Sequence, residues 1–293
     1  MIKPSVAAVS CVGKFRLKVI IAALLVLFLI GCVDTSTIIK VNRDGSGTIE
    51  ETVIISMGFL QLIQGMSGEA AEPAEDFNML DRDKLKEKAG QIGEDVVLVS
   101  AESIKTDSGT GYKAIYSFKD INKIRINQNP AENVPTPGPG GPDAEETGEF
   151  ITFSFKKGNT STLEIFKPQE ELSGEKGQGN ENADAATYPA TYPATDPAAD
   201  PGMMDMMRQI YQDMRISMAV EVEGSIIDTN ALYREGSRIT IMELDFGKLL
   251  ENEEQFQKLA QANPETLEET KELFKDIPGM KVELQDTLKI TFR

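Results

Sequence analysis

Histidine and tryptophan are absent from this 293-residue sequence, and cysteine occurs only twice, at Cys11 and Cys32. Without histidine the chain lacks the commonest general base and the commonest metal ligand at neutral pH. That excludes His-ligated zinc sites and Ser-His or Cys-His nucleophiles. Carboxylate, lysine or tyrosine chemistry is what remains for an enzyme. Basic residues are scarce as well: 30 Lys and Arg stand against 47 Asp and Glu. Long apolar runs are few. The longest, VIIAALLVLFLI from Val19 to Ile30, falls short of the roughly 20 residues a membrane-spanning helix needs.

That run has informative flanks. Lys3, Lys14, Arg16 and Lys18 are the only charges before it, and Gly31 and Cys32 follow it. A basic n-region, a short apolar h-region and a small residue before the cut describe a secretory signal over residues 1–31. Leu29-Ile30-Gly31-Cys32 resembles the lipobox of bacterial lipoproteins. The resemblance implies cleavage between Gly31 and Cys32, with Cys32 becoming the diacylated first residue of the mature chain. Cys11 leaves with the signal, so no intramolecular disulfide is expected despite an oxidising compartment. Val33, not Asp, follows Cys32. In similar Gram-negative lipoproteins this favours the outer membrane over inner-membrane retention, with the protein facing the periplasm.

Removing the four basic signal residues leaves 26 Lys and Arg against 47 Asp and Glu, a net charge of −21. Such a surface repels nucleic acid and anionic headgroups, so attachment to the membrane depends on the diacylglycerol anchor. Residues 127–149 hold five prolines, and residues 168–202 carry the repeat TYPA-TYPA-TDPA. Both have the composition of solvated linkers. The chain thus divides into an N-terminal β-rich region (32–167) with a disordered excursion at 127–149, a disordered linker (168–202) and a C-terminal α+β region (203–293).

Strand patterns dominate between the linkers. Residues 37–41, 48–55, 96–99, 111–118, 149–155, 162–166, 215–223, 225–229 and 237–244 alternate or run apolar between turn residues. Tyr112, Ala114, Tyr116 and Phe118 share one face, as do Ile151, Phe153 and Phe155. Helices fit residues 57–66, 80–89 and 249–262. A fourth begins at Asn263-Pro264-Glu265, with Asn as N-cap and Pro at N1. Its stripe is Leu267, Thr270, Leu273, Phe274 and Ile277, and Pro278-Gly279 stops it. The closing KVELQDTLKITF reads as a hairpin or a bent strand. The fold class expected is α+β, with a mainly antiparallel sheet and C-terminal helices.

Asp44-Gly45-Ser46-Gly47 soon after the lipobox, Phe118-Lys119-Asp120, and Gly224 with Ile226 and Asn230-Ala231 together resemble the LppM-type lipoprotein domain and its uncharacterised bacterial relatives. The likeness covers about half of the mature chain. It implies an envelope lipoprotein with a β-rich domain and no catalytic motif to carry over. The two linkers depart from that pattern.

Four motifs have a chemical reading beside a plain one. NRDGSGTIEETV (42–53) places oxygen-bearing residues at alternate positions, as a calcium loop does. Its twelfth residue, however, is Val53, and its flanks propose strands rather than helices. A hairpin turn over residues 43–47 is the expectation. Ser173-Gly174-Glu175-Lys176 matches S-x-x-K, but lies at the edge of a linker without the partner motifs. MMDMMRQIYQDM (203–214) suits either packing and partner contact or soft Cu(I). Glu251, Glu253, Glu254, Glu265, Glu268, Glu269 and Glu272 fit a solvated helix face.

The expectation is a lipid-anchored, non-catalytic binding or assembly module of the cell envelope. No cofactor and no metal are expected, and no nucleic-acid partner. The partner is an envelope protein, peptide or lipid. The alternatives are a metal-responsive protein with Met-rich or acidic ligands, and a carboxylate-based glycan hydrolase.

Overall fold

The computed structural model describes residues 33–57, 60, 79–106, 109–127, 150–167, 213–262, 267–275 and 277–293. Gly31, Cys32, the S-x-x-K tetrad, most of both linkers, residues 203–212 and most of the helix expected at 57–66 lie outside them.

Thirteen strands alternate with four helices among these residues. β1 (Val33–Val41) and β2 (Gly47–Ser56) form the first hairpin, followed by α1 (Arg82–Ile92), β3 (Val97–Lys105) and β4 (Gly109–Phe118). A short 3-10 turn (Ile121–Lys123) leads to β5 (Arg125–Asn127), β6 (Phe150–Lys156) and β7 (Ser161–Phe166). The second half supplies β8 (Arg215–Val222), β9 (Ile226–Thr229), β10 (Arg234–Glu235) and β11 (Arg238–Asp245). α2 (Phe246–Glu251), α3 (Glu253–Gln261), α4 (Leu267–Lys275), β12 (Met280–Val282) and β13 (Thr287–Phe292) complete the chain.

The strands form two sheets. The eight-stranded sheet runs β10-β11-β8-β1-β2-β4-β3 with β12 also on β11, and the five-stranded sheet runs β5-β6-β7-β13-β9. Every pairing is antiparallel except β1 with β8, which run parallel from Asp34↔Arg215 to Val41↔Val222. Both sheets draw strands from both halves of the chain: β8 sits against β1, and β13 lies between β7 and β9. The fold is α+β, a two-sheet sandwich with helices at its edges.

Period-2 patterning explains the core. β2 buries Ile49, Glu51, Val53 and Ile55 and leaves the residues between them half-exposed. β4 buries Tyr112, Ala114, Tyr116 and Phe118 on the same face. Ile151, Phe153, Leu163, Ile165, Leu288, Ile290 and Phe292 face them from the smaller sheet in one continuous apolar cluster. A second cluster of Met214, Ile216, Leu244, Phe246, Leu249, Phe274, Ile277 and Met280 joins the C-terminal helices to one end of the larger sheet.

The structure departs from expectation at three places. The single helix at 249–262 is two helices, because Asp245 and Asn252 each cap a start. Asp245 accepts from the Lys248 N–H and Asn252 from the Gln255 N–H. The closing segment is neither a hairpin nor one bent strand, since β12 pairs with β11 in one sheet while β13 pairs with β7 and β9 in the other. β3 extends to Lys105, well past residue 99. A bulge between Leu98 and Ser100 breaks its alternation and hid the rest of the strand.

Phe292 is fully buried, with its ring 6.2 Å from that of Phe155. Phe292→Ala is expected to cost about 3–5 kcal/mol. Because β13 ties the two halves together, denaturant titration should show one transition displaced as a whole. Separate transitions for the two sheets would contradict this.

Candidate functional site

The DGSG stretch is a turn. Val41 pairs with Gly47, the Asn42 N–H donates to the Ser46 carbonyl at 2.8 Å, and the Gly45 N–H donates to the Asn42 carbonyl at 3.1 Å. The Asp44 carboxylate accepts from the Ser46 N–H at 3.0 Å and its hydroxyl at 2.6 Å, and these bonds hold it below the usual carboxylate range. Gly45 has φ +90°, and a Cβ there would fall 2.7 Å from a ring carbon of Phe155. Its carbonyl accepts from the Ile121 N–H at 2.9 Å. The turn is a joint between the sheets, with its acid spent on its own backbone.

Glu51 interrupts the apolar face of β2, and the structure explains why a carboxylate is tolerated there. The Tyr112 hydroxyl donates to Oε1 at 2.6 Å, and Lys88 on α1 donates to Oε2 at 2.5 Å. Burial, and then the Glu51 charge, raise both Tyr112 and Tyr116 far above the ordinary phenol range. A buried acid of this kind persists only when its oxygens are matched by donors. This triad pins α1 to the sheet.

Glu283 is a second buried acid, at 1% exposure, in the segment that crosses from β12 to β13. Its Oε1 accepts the N–H groups of Leu232 at 2.6 Å and Tyr233 at 2.8 Å. Lys167, at the end of β7, donates to the Glu283 carbonyl. Burial pushes the Lys167 amine down to about 8, against the pull of Glu283 and Asp286. Burial also raises the Glu283 carboxyl above its ordinary value, despite those backbone donors and the nearby Lys167 and Gln285. Glu283 Oε2 and Gln285 Oε1 are buried acceptors without a donor among the described residues.

A third group sits where β1 begins. Arg215 bonds Glu243 at 2.9 Å, Lys281 bonds the same carboxylate at 2.9 Å, and Lys248 bonds Asp245 at 2.8 Å. Asp34 is raised above its ordinary value by burial, with the charge of Arg215 opposing the shift. The strand register brings these residues together: Asp34 pairs with Arg215, and Arg215 with Asp245. An open cleft of 320 Å³ lies elsewhere, between the end of α1 and β5. Two cations that line it are engaged. Arg125 stacks 4.4 Å over the Phe150 ring, and Lys123 reaches Asp95 at 3.4 Å.

The helix carboxylates behave as a solvated face where they are described. Glu251 is exposed, Glu254 pairs with Lys258 and Glu272 with Lys275. Of the Met-rich stretch only Asp213 and Met214 are described, and Met214 is buried in the C-terminal cluster. Among the described residues no group of three or more acids or cysteines is arranged to hold a metal. No described helix is long and apolar enough to cross a membrane. Glu283 was missed from sequence, although an acid between Val282 and Leu284 was a visible interruption. Glu51 stands on the same face of β2 as Ile49, Val53 and Ile55, where alternation alone asks for an apolar residue.

No protein-family model and no curated protein matches the chain. Among solved structures, the NMR structure of the folded domain of the Mycobacterium tuberculosis LppM protein aligns over 90% of this chain and 91% of that one. The two are 10% identical, with a TM-score of 0.31.

Tyr112→Phe removes one of the donors to Glu51 and is expected to cost about 1–3 kcal/mol. Lys88→Met leaves a nearly buried carboxylate without its cationic partner and should cost more, about 3–5 kcal/mol. Chemical denaturation of both variants checks the order. For Glu283 the folded carboxyl value lies above its ordinary value of 4.5. The folded state therefore holds an extra proton in that window, and the stability this gives is lost as pH rises through the raised value. Glu283→Gln keeps an acceptor for the backbone donors without titrating. Its melting temperature is expected to gain on the natural protein as pH is raised from about 4.5 to neutrality. A gap that stays constant across this range would contradict the assignment.

Proposed function

We propose that the chain is a lipid-anchored lipoprotein of the bacterial cell envelope, acting as a binding or assembly module and not as a catalyst. The observation that carries this reading is Leu29-Ile30-Gly31-Cys32, placed after a basic and then an apolar segment and immediately before the first strand. Its order and flanks fit cleavage before Cys32 and diacylation of that residue. Val33 at the next position favours the outer membrane, facing the periplasm.

The case against catalysis is chemical. The sequence offers no histidine, and the two carboxylates buried among the described residues, Glu51 and Glu283, bind neighbouring strands, loops and helix through donors of the protein itself. A hydrolytic acid pair must instead face a substrate and a water. The partner is then an envelope protein, peptide or lipid. Nucleic acid is disfavoured by the net charge of the mature chain.

Mass spectrometry of the protein purified from envelopes tests the reading. The expected first peptide begins at Cys32 and carries a diacylglycerol adduct, and Cys32→Ala should move the protein out of the membrane fraction. An unmodified Cys32 in the mature chain would overturn it.

A further inference from the structure

The end strand of a sheet carries main-chain groups that can recruit a further strand, and very short end strands are one way of preventing it. Among the described residues β10 has two residues, β5 and β12 have three each, and β9 has four, with its Ile226 carbonyl taken by Arg234 at 2.8 Å. β3 is different. It runs nine residues at the end of the eight-stranded path, and its pairing among the described residues is to β4 alone. The Thr106 N–H donates to the Gly109 carbonyl at 2.9 Å, which sets the phase of this ladder. Alternation then turns the main-chain groups of Ala101, Ser103 and Lys105 away from β4. The Ala101 carbonyl shows it directly, accepting from Arg82 at 2.6 Å with one of its two lone pairs. Val97 and Val99 stand on the same edge at 60% and 61% exposure, above every other large hydrophobic described. Val99 is the extra residue of the bulge between Leu98 and Ser100.

We propose that the β3 edge is a self-association surface, on which a second copy of this chain lays its own β3 antiparallel across a two-fold axis. The charge along the edge selects that occupant. Glu94 and Asp95 stand just before the strand and Lys105 ends it. An antiparallel copy sets the acids of each chain beside the lysine of the other, with the valines of both copies between the two charged ends. A parallel copy would set like beside like. The remaining charges on this edge are compensated within the chain. Glu102 lies across from Lys113 of β4, Asp95 also reaches Lys123 at 3.4 Å, and Asp83, next to Arg82, bonds Lys86 at 2.9 Å. The proposal stands apart from the lipid anchor.

Sedimentation velocity of the full-length protein in detergent, over the micromolar range, is expected to show a monomer–dimer equilibrium. Val99→Lys puts like charges close to the two-fold axis and should weaken the dimer about tenfold. Lys105→Glu should weaken it as well. Adding Glu94→Lys and Asp95→Lys to that variant should restore it, because both intermolecular charge contacts are then reversed together. Thermal melts confirm that each variant is folded. Natural protein that stays monomeric throughout this range would overturn the proposal. So would a dimer indifferent to Val99→Lys, which would place the interface elsewhere, or a charge reversal that fails to rescue a folded Lys105→Glu chain.

Discussion

The parallel ladder between β1 and β8 is the interaction on which the rest of the molecule depends. It joins the strand that begins at Val33 to one that follows both Pro-rich segments, over eight residue pairs from Asp34↔Arg215 to Val41↔Val222. β2, β4 and β3 extend the sheet on one side of it, and β11, β10 and β12 on the other. Without this seam each half would present an open sheet edge and half of an apolar face. The five-stranded sheet repeats the arrangement, with β13 between β7 and β9. The long intervening segment is tolerated because the entropy of closing a loop grows only slowly with its length.

Polar groups inside the sandwich mark its joints. Glu51 fastens α1 to the larger sheet through Lys88, while Tyr112 holds the other oxygen from within the core. Glu283 fastens the loop before β10 to the point where the chain leaves one sheet for the other. The DGSG turn fastens the first hairpin to the smaller sheet through the Gly45 carbonyl and the space kept clear for Phe155. Both oxygens of Glu51 and one oxygen of Glu283 are met by donors of fixed position, so these contacts specify geometry as much as they stabilise it.

Much of this was legible along the chain. Alternation in GYKAIYSF located β4 and its buried face, and the strands expected at 149–155 and 162–166 are β6 and β7, paired antiparallel. The helix stop at Pro278-Gly279 holds, with Gly279 at φ +81° before β12. Other features were hidden for identifiable reasons. A bulge masks the period of β3, paired caps at Asp245 and Asn252 split one apolar stripe into two helices, and Glu283 lies in a run too short to show which side faces inward. The ionic group around Arg215 draws on residues more than 200 positions apart, a juxtaposition that no local pattern encodes.

Sequence alone determined the acidic charge, the absence of imidazole chemistry, and the inward faces of most strands, because these follow from residue type and from a period of two. Tertiary structure decided which strands are neighbours, that the two halves form one sandwich, and that Glu51 and Glu283 are buried rather than solvated. Pairing partners and burial depend on contacts between segments far apart in the chain, and such contacts are selected by the packing of whole faces.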